Sequence, residues 1–157
     1  MIELKPIGAV HNAMTQAHRD TRWQEIESEI EIDAEWHDAL DGIEQFSHVW
    51  VITYLDRRAA PRWNARGLRP DALHVHPTHD TRLPLVGIFA TRSPQRPNPI
   101  GICAVELLDV RGNLLRVRGL DALNGTPVLD IKPYLSGRDL IENTRVGEWV
   151  RMLNALG

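Results

Sequence analysis

The segment at residues 87–101 combines polar side chains with three prolines in a pattern that favours ligand binding. It reads Gly-Ile-Phe-Ala-Thr-Arg-Ser-Pro-Gln-Arg-Pro-Asn-Pro-Ile-Gly. Proline fixes its own φ and pushes the preceding residue towards extended geometry, so the segment should be stiff. A stiff loop that presents Arg92, Arg96 and Asn98 can hold a ligand without an ordering cost on binding. A purely structural turn is the alternative.

A second chemically rich segment covers residues 120–134 and reads Leu-Asp-Ala-Leu-Asn-Gly-Thr-Pro-Val-Leu-Asp-Ile-Lys-Pro-Tyr. It carries the carboxylates of Asp121 and Asp130, the amine of Lys132 and the phenol of Tyr134, all groups that can act in acid–base chemistry. The structural alternative is that Asp121 caps a turn while Lys132 pairs with Asp130 on the surface. Residue spacing alone leaves the two interpretations open.

Arginines are concentrated in the middle of the chain although the net charge is −3. Residues 57–96 contain eight arginines against Asp71 and Asp80, a local excess of +6, so the rest of the chain carries −9. Most of that negative charge lies between residues 20 and 44. Arginine suits bidentate contact with phosphate, so the pattern predicts a surface that faces a polyanion. A solvated arginine face is the alternative.

Three histidines, His74, His76 and His79, precede Asp80 with a spacing that resembles a metal-ligand cluster. Histidines at such spacing bind metal only where a strand or turn fixes them. The neighbouring prolines indicate a solvated loop instead, and we expect no metal. The lone Cys103 lies in an apolar run, which predicts a buried thiol and excludes an internal disulfide.

Short strands must position these segments. Alternation of Ile26, Ser28, Ile30 and Ile32 with glutamates predicts a half-buried strand, and residues 46–55 predict a well-buried one. Strands are also expected at Leu4–Val10, at Leu85–Ala90, and in a hairpin of 102–110 with 114–120 that leads on to Val128–Ile131. A short helix at Ala34–Leu40, a long loop at 57–83 and a terminal helix at 145–156 complete the prediction.

These elements indicate a mainly β fold, an antiparallel sheet or barrel with few short helices and a C-terminal helix. On that helix Val146, Trp149, Val150 and Leu153 share one face, which suits core packing or a dimer contact. The length of 157 residues predicts one domain over 1–157. The N-terminus lacks a targeting pattern and no window approaches the roughly 18 apolar residues of a membrane span. We therefore expect a cytoplasmic protein without a membrane partner.

Four blocks, in order along the chain, resemble the tRNA N6-threonylcarbamoyladenosine methyltransferase family, once called the YaeB-like proteins. They are Pro6-Ile-Gly-x-Val10, Phe46-Ser-His-x-Trp50, Thr91-Arg-Ser-Pro-Gln-Arg-Pro-Asn-Pro-Ile-Gly101, and the run from Asp121 to Tyr134. The resemblance covers residues 4–135. It implies a β-barrel methyltransferase, a homodimer, S-adenosylmethionine as donor, and N6 of a threonylcarbamoyl-modified adenosine in the tRNA anticodon loop, at position 37, as acceptor.

The resemblance also assigns residues. Those implied to contact the cofactor are Asp56, Arg57, Arg92, Asn98, Ile102, Leu120, Asp121, Ala122 and Leu123. The concentration of arginines, and not the resemblance, predicts the tRNA-phosphate contacts, which are Arg57, Arg58, Arg62, Arg66, Arg69 and Arg96. Candidates for catalysis are Asp121, Asp130, Tyr134 and Lys132. We expect the segments at 91–101 and 120–134 to approach each other and seat the donor.

The chain departs from the family pattern in two places. We expect no further C-terminal domain of the kind that some bacterial relatives carry, and residues 20–25 differ from the usual proline-rich run, so we assign no cofactor contact there. Two other functions stay open: a non-catalytic RNA-binding barrel, and a methyltransferase of this fold with a different substrate. Loss of Arg92, Asn98 and Asp121 would indicate the non-catalytic barrel, and all three are present.

Overall fold

A computed structural model describes residues 2–18, 21–55, 63–64, 67–68, 73–94 and 96–156, with backbone only at 63–64 and 67–68. Ten strands are described: β1 Gly8–His11, β2 Glu27–Ile32, β3 His48–Tyr54, β4 Trp63–Asn64, β5 Gly67–Leu68, β6 His74–Val75, β7 Val86–Gly87, β8 Ile100–Arg111, β9 Leu114–Arg118 and β10 Pro127–Pro133. Two α-helices follow, α1 Ser136–Asp139 and α2 Glu148–Ala155. Short 3₁₀ helices are at Trp23–Glu25, Ala34–Leu40, Ile43–Gln45, Pro77–His79 and Ile88–Ala90.

Six strands close into an antiparallel barrel in the order β1-β10-β3-β8-β9-β2, with β2 returning to β1. The predicted mainly β barrel with a C-terminal helix is therefore confirmed. The chain divides into two compact units, one of residues 1–57 and 100–139 that holds the barrel, and one of residues 58–99 and 140–157. The expectation of a single domain stays a prediction.

Alternating residues fill the inside of the barrel, as the period of a strand requires. In β2, Ser28, Ile30 and Ile32 are buried and the three glutamates between them are exposed. Leu115 and Val117 of β9 and Val49 and Val51 of β3 are buried in the same core. Among the described residues, its buried members are Val10, Ile30, Ile32, Val49, Val51, Val105, Leu107, Leu115, Val117, Leu120, Ala122 and Val128.

Several predicted elements differ in the structure. The first strand begins at Gly8 and not at Leu4, because Pro6 has no N–H to donate to a ladder. The predicted loop at 57–83 contains the short antiparallel pair of β4 with β5, and it contains β6, which pairs with β7 beyond the loop. The predicted strand at 85–90 is reduced to β7 and a 3₁₀ turn at Ile88–Ala90, whose end the Thr91 hydroxyl fixes by donating to the Ile88 carbonyl at 2.9 Å.

Two side chains also differ from expectation. Cys103 is only partly buried, and its thiol lies 3.3 Å from the Gly119 carbonyl oxygen, so it lines the core without being enclosed by it. The terminal helix begins at Glu148, which leaves Val146 exposed ahead of it. Within the second unit, the Trp149 indole N–H donates to the Ala90 carbonyl at 3.1 Å and anchors α2. No helix among the described residues has the length and apolarity needed to cross a membrane.

Candidate functional site

The segment after β9 presents an exposed carboxylate between two buried side chains. Gly119 adopts φ +93°, a conformation that favours glycine, and lets the chain leave the strand. Leu120 and Ala122 are then buried in the barrel core, whereas Asp121 is exposed. The Ala122 amide donates to the Leu120 carbonyl at 3.0 Å, which forms a tight turn around Asp121. Because Leu120 and Ala122 on either side are buried, the Asp121 side chain is directed away from the core.

Asn12, just after β1, holds this segment in place. Its Nδ2 donates to the Ala122 carbonyl at 3.0 Å and to the buried Ser28 hydroxyl at 2.9 Å. Its backbone N–H donates to Oδ1 of Asn124 at 3.2 Å, and its own Oδ1 accepts from the Met14 amide at 2.9 Å. Ala122 lies 110 positions and Asn124 112 positions from Asn12 in sequence, so local sequence patterns gave no signal of these two contacts.

On β10, Asp130 and Lys132 engage each other. The Lys132 ammonium lies 2.7 Å from an Asp130 carboxylate oxygen, and both side chains are substantially exposed. The other Asp130 oxygen accepts from the Ile131 backbone N–H at 2.9 Å. The alternative that these residues form a surface ion pair is thereby confirmed. Their role in catalysis stays a prediction.

Tyr134 follows β10 and packs in an aromatic cluster. Its ring centroid lies 5.6 Å from that of Trp50 and 6.3 Å from that of His48, both rings being tilted against it. The Trp50 indole N–H donates to the Asp139 carboxylate at 3.0 Å, and the Leu135 backbone N–H donates at 2.8 Å. These donors, the Leu135 amide foremost, hold the pKa of the Asp139 carboxyl below its usual range.

Ile102 lies on the outer side of β8, opposite Ile52 in register, and is 56% exposed. Alternation along the strand points Val105 and Leu107 inward and leaves Ile102 outside the core. An exposed branched apolar residue on a regular strand is available for contact with a ligand. That agrees with the cofactor contact predicted for it, which itself stays a prediction.

In the second unit, hydrogen bonds reinforce the proline-rich loop. The Ser93 amide donates to the Thr91 hydroxyl at 3.2 Å, and Nη1 of Arg96 donates to the carbonyls of Thr91 and Ser93 at 3.3 and 3.2 Å. Arg92 and Asn98 are exposed. These hydrogen bonds hold the backbone of the loop that carries Arg92 and Asn98, the two cofactor contacts predicted in it.

One arginine of the central cluster is already bound within the protein. Nε of Arg82 donates to one oxygen of the buried Asp80 carboxylate at 3.0 Å, and Nη2 donates to the other at 2.7 Å. The side chain of Asp80 raises the pKa of Arg82 by hydrogen bonding and by charge. Since Arg82 and Asp80 cancel, the local excess of +6 rests on the other arginines.

The histidine cluster is not arranged for a metal. His74 and His79 are exposed, and Nδ1 of His76 donates to the Leu83 carbonyl at 2.8 Å. In the part of the chain that the structure describes, no group of three or more His, Cys, Asp or Glu residues is placed to hold an ion.

Six predicted site residues, Asp56, Arg57, Arg58, Arg62, Arg66 and Arg69, lie outside the described residues. The structure brings together Leu120, Asp121, Ala122 and Leu123 as one turn. Asp130, Lys132 and Tyr134 lie on one strand and its end. The approach of residues 91–101 to residues 120–134 stays a prediction.

Comparison with known proteins identifies one matching family model and several related proteins. A family model described as the tRNA-methyltransferase O N-terminal domain matches residues 9–140. A probable S-adenosyl-L-methionine-binding protein of Methanothermobacter thermautotrophicus is 43% identical over 143 residues, covering 88% of this chain and 93% of that protein. A protein of the same description from Archaeoglobus fulgidus is 42% identical over 98% of this chain and 39% of its own length.

A tRNA (adenine(37)-N6)-methyltransferase of Homo sapiens is 39% identical over 67% of this chain and 22% of its own length. Among solved structures, TrmO from Pseudomonas aeruginosa matches with a TM-score of 0.72 at 28% identity, over 94% of this chain and 62% of that one. The chain thus spans between about a fifth and nearly all of the length of these relatives.

Proposed function

Because the chain belongs to the family of the tRNA-methyltransferase O N-terminal domain, we propose that it is an S-adenosylmethionine-dependent methyltransferase that methylates N6 of an adenosine in tRNA. The observation that carries the proposal is the family match over residues 9–140, on a closed barrel that aligns with solved TrmO structures. Relatives named as S-adenosyl-L-methionine-binding proteins and as tRNA adenine-N6 methyltransferases support the donor and the acceptor.

The proposal includes a finer substrate, the threonylcarbamoyl-modified adenosine at position 37 of the anticodon loop. The four sequence blocks that resemble the threonylcarbamoyladenosine methyltransferases support it. A homodimer and a cytoplasmic location belong to the same proposal and rest on the same resemblance. Sedimentation analysis of the purified chain tests the first, and cell fractionation tests the second.

The turn at residues 120–123 fits a cofactor of this chemistry. Asp121 offers a carboxylate that can accept hydrogen bonds from ribose hydroxyls or face positive charge, and the half-buried Leu123 beside it offers an apolar surface for a purine. Ile102 adds exposed apolar area on β8, and we propose Arg92 and Asn98 as further contacts. When bound, S-adenosylmethionine supplies an electrophilic methyl group on its sulfonium sulfur.

The protein then has two tasks, alignment and proton removal. Holding the acceptor nitrogen in line with the methyl group supplies several kcal/mol of the barrier reduction. The nitrogen gains the methyl group and releases its proton, so a nearby base assists. We propose Asp121 as this base or as the cofactor anchor, with Asp130 and Tyr134 as other candidate acceptors. The proposed task of Lys132 is to neutralise carboxylate charge on the substrate.

Asp121→Ala tests this role. We expect it to abolish methyl transfer to tRNA while the thermal unfolding midpoint stays within about 2 °C of the parent, because an exposed carboxylate contributes little to folding. The matched control is Asp38→Ala, which removes another exposed carboxylate from the same unit. Near-normal turnover by Asp121→Ala rejects the assignment. Calorimetry with S-adenosylmethionine then separates an anchor, which changes affinity, from a base, which does not.

The activity itself is tested by mass spectrometry of tRNA nucleosides from cells that lack the protein. Loss of N6-methyl-threonylcarbamoyladenosine supports the proposal. If the nucleosides are unchanged but the purified chain binds S-adenosylmethionine, the acceptor is another molecule. If the chain does not bind S-adenosylmethionine at all, it is a non-catalytic barrel.

A further inference from the structure

Phe89 is an exposed aromatic side chain on a hydrogen-bonded 3₁₀ turn of the second unit. Its side chain is 76% exposed, although it is one of only two phenylalanines in the protein. Its neighbour Ile88 is 2% exposed and buried, so the 3₁₀ turn is anchored on one side while the phenyl ring faces solvent. Single exposed apolar residues are common on proteins, so exposure alone carries no function. The hydrogen-bonded turn that carries the ring and the neighbouring Arg96 distinguish Phe89 from such residues.

The backbone on which Phe89 stands is fixed at both ends. The Ile88 amide donates to the Leu73 carbonyl at 3.0 Å before it, and the Thr91 amide donates back to the Ile88 carbonyl at 3.1 Å after it. The Trp149 indole holds the Ala90 carbonyl from α2. A ring on such a turn is presented in a set direction, so stacking on it does not require the loop to become ordered.

A guanidinium group lies over the ring. The central carbon of the Arg96 guanidinium lies 6.0 Å from the Phe89 ring centroid, within the range of a cation–π contact. The bonds from Arg96 to the carbonyls of Thr91 and Ser93 hold the group in position. An aromatic face and a fixed cation at this distance match a planar base attached to an anionic backbone.

The geometry points to Phe89 and Arg96 as a stacking site for an unpaired nucleobase of the RNA substrate, with Arg96 facing the adjacent phosphate. This inference rests on the proposed function, since it takes RNA as the substrate. Stacking on an aromatic ring tolerates any base, because every base has a π face. The site therefore recognises a single-stranded region of the RNA and leaves the choice of nucleotide to other contacts.

The test measures fluorescence anisotropy with the full chain and two labelled probes: a stem-loop RNA with a single-stranded loop, and a fully paired RNA duplex of the same length. The variants are Phe89→Ala and Phe89→Trp, and Leu85→Ala is the matched control, because Leu85 is a nearby apolar side chain that is 58% exposed. Thermal unfolding verifies that each variant is folded. Calorimetry measures its affinity for S-adenosylmethionine.

We expect Phe89→Ala to weaken stem-loop binding roughly tenfold, and Phe89→Trp to preserve it, since indole stacks at least as well as phenyl. Duplex binding, affinity for S-adenosylmethionine and the Leu85→Ala variant should be unchanged. Equal stem-loop binding by Phe89→Ala and the parent overturns the inference, as does a parent that does not bind the stem-loop.

Two further outcomes separate ring stacking from other roles. If Phe89→Ala weakens only the affinity for S-adenosylmethionine, the ring contacts the cofactor and the inference is wrong. If stem-loop binding depends on Phe89 but the parent transfers no methyl group to tRNA, the stacking site stands and the proposed activity fails. The two proposals therefore fail on different readouts.

Discussion

The side-chain amide group of the single residue Asn12 joins three parts of the barrel unit. It satisfies the buried hydroxyl of Ser28 and holds the carbonyl of Ala122, next to Asp121. A buried polar group that loses its partner costs free energy in proportion to its desolvation, so these bonds also restrict where the turn can lie. The position of Asp121 thus depends on a residue that itself offers no chemistry to a substrate.

Substitution of Asn12 should therefore weaken cofactor binding as well as the fold. We expect Asn12→Ala to lower the free energy of unfolding by about 1–3 kcal/mol and to weaken binding of S-adenosylmethionine at least about tenfold, because the turn loses its anchor. Ser28→Ala is the control, since it removes one bond of Asn12 but leaves the bond to Ala122. Denaturant unfolding and calorimetric titration give the two quantities. Equal affinity in the two variants would contradict a positioning role.

At the scale of elements, the barrel closes because β1 can approach β2 closely. A Cβ atom added at Gly8 would lie 2.1 Å from the Glu31 carbonyl oxygen and 2.9 Å from the Ile32 Cα. Both are backbone atoms of the partner strand, which cannot rotate away. The Pro6-Ile-Gly block that carries part of the family resemblance thus has a packing reason at its glycine.

Gly8→Ala should destabilise the barrel by about 2 kcal/mol or more, since overpacking of a close contact costs about 1–3 kcal/mol and here moves backbone. Gly137→Ala is the matched control, because nothing lies within 4 Å of the added Cβ there. Urea unfolding of the two variants measures the difference. Similar midpoints for both would show that the strands can separate at no cost.

Asp139, the last residue of α1, provides a prediction on pH. The pKa of Asp139 is held below its usual range, so the unfolded chain binds a proton there more readily than the folded one. The stabilising contribution of Asp139 is then present above the unfolded value of about 4 and is lost as pH falls through the folded pKa.

Asp139→Asn removes this titration. We expect the variant to be less stable than the parent at about pH 6, and the gap between their unfolding midpoints to shrink as pH falls below about 4. Differential scanning calorimetry across that range measures it. Trp50→Phe removes one of the two donors to the carboxylate. Its unfolding midpoint at about pH 6 should therefore fall below that of the parent by less than the midpoint of Asp139→Asn does. If the unfolding midpoints of parent and Asp139→Asn change with pH in parallel, protonation of Asp139 does not contribute to the pH dependence of stability.

Local signals explain which elements the sequence could predict. The Ile/Glu alternation of β2 and the Arg111-Gly-Asn turn, with Gly112 at φ +60°, act within a few residues, and both elements form as expected. Other features depend on distant partners. Among the described residues, the strand expected at 85–90 pairs with the short β6, and the bond from Asn12 to Ala122 joins residues 110 positions apart. No local periodicity encodes such contacts.

Several charges outside the arginine-rich segment form close ion pairs, although the residues outside 57–96 keep a net charge of −9. Arg118 of β9 lies 2.8 Å from Glu27 and 3.0 Å from Glu106, across both neighbouring strands. Arg116 pairs with Asp109 at 3.1 Å. The acidic face of β2 is thus partly neutralised by β9, whereas residues 57–96 hold eight arginines and only two acidic residues. A protein of net charge −3 can in this way present a cationic segment to RNA.

Salt dependence of tRNA binding tests this charge separation. If arginines at 57–69 contact phosphates, the logarithm of the association constant should fall linearly with the logarithm of salt concentration, by about 0.7–0.9 per contact. The combined variant Arg57→Gln, Arg58→Gln and Arg62→Gln should lower the magnitude of the slope by about 2. Filter binding or anisotropy with unmodified tRNA transcript over a salt series measures it.

The control for that experiment removes the same total charge elsewhere. Arg22→Gln, Arg111→Gln and Arg138→Gln are combined, because all three side chains are exposed and lie outside residues 57–96. Since counterion release depends on charges at the interface and not on net charge, this variant should keep the parent slope. If the magnitude of the slope falls equally in the two variants, tRNA binding depends only on the overall charge of the protein. An affinity that does not change with salt would remove phosphate contact from the proposal altogether.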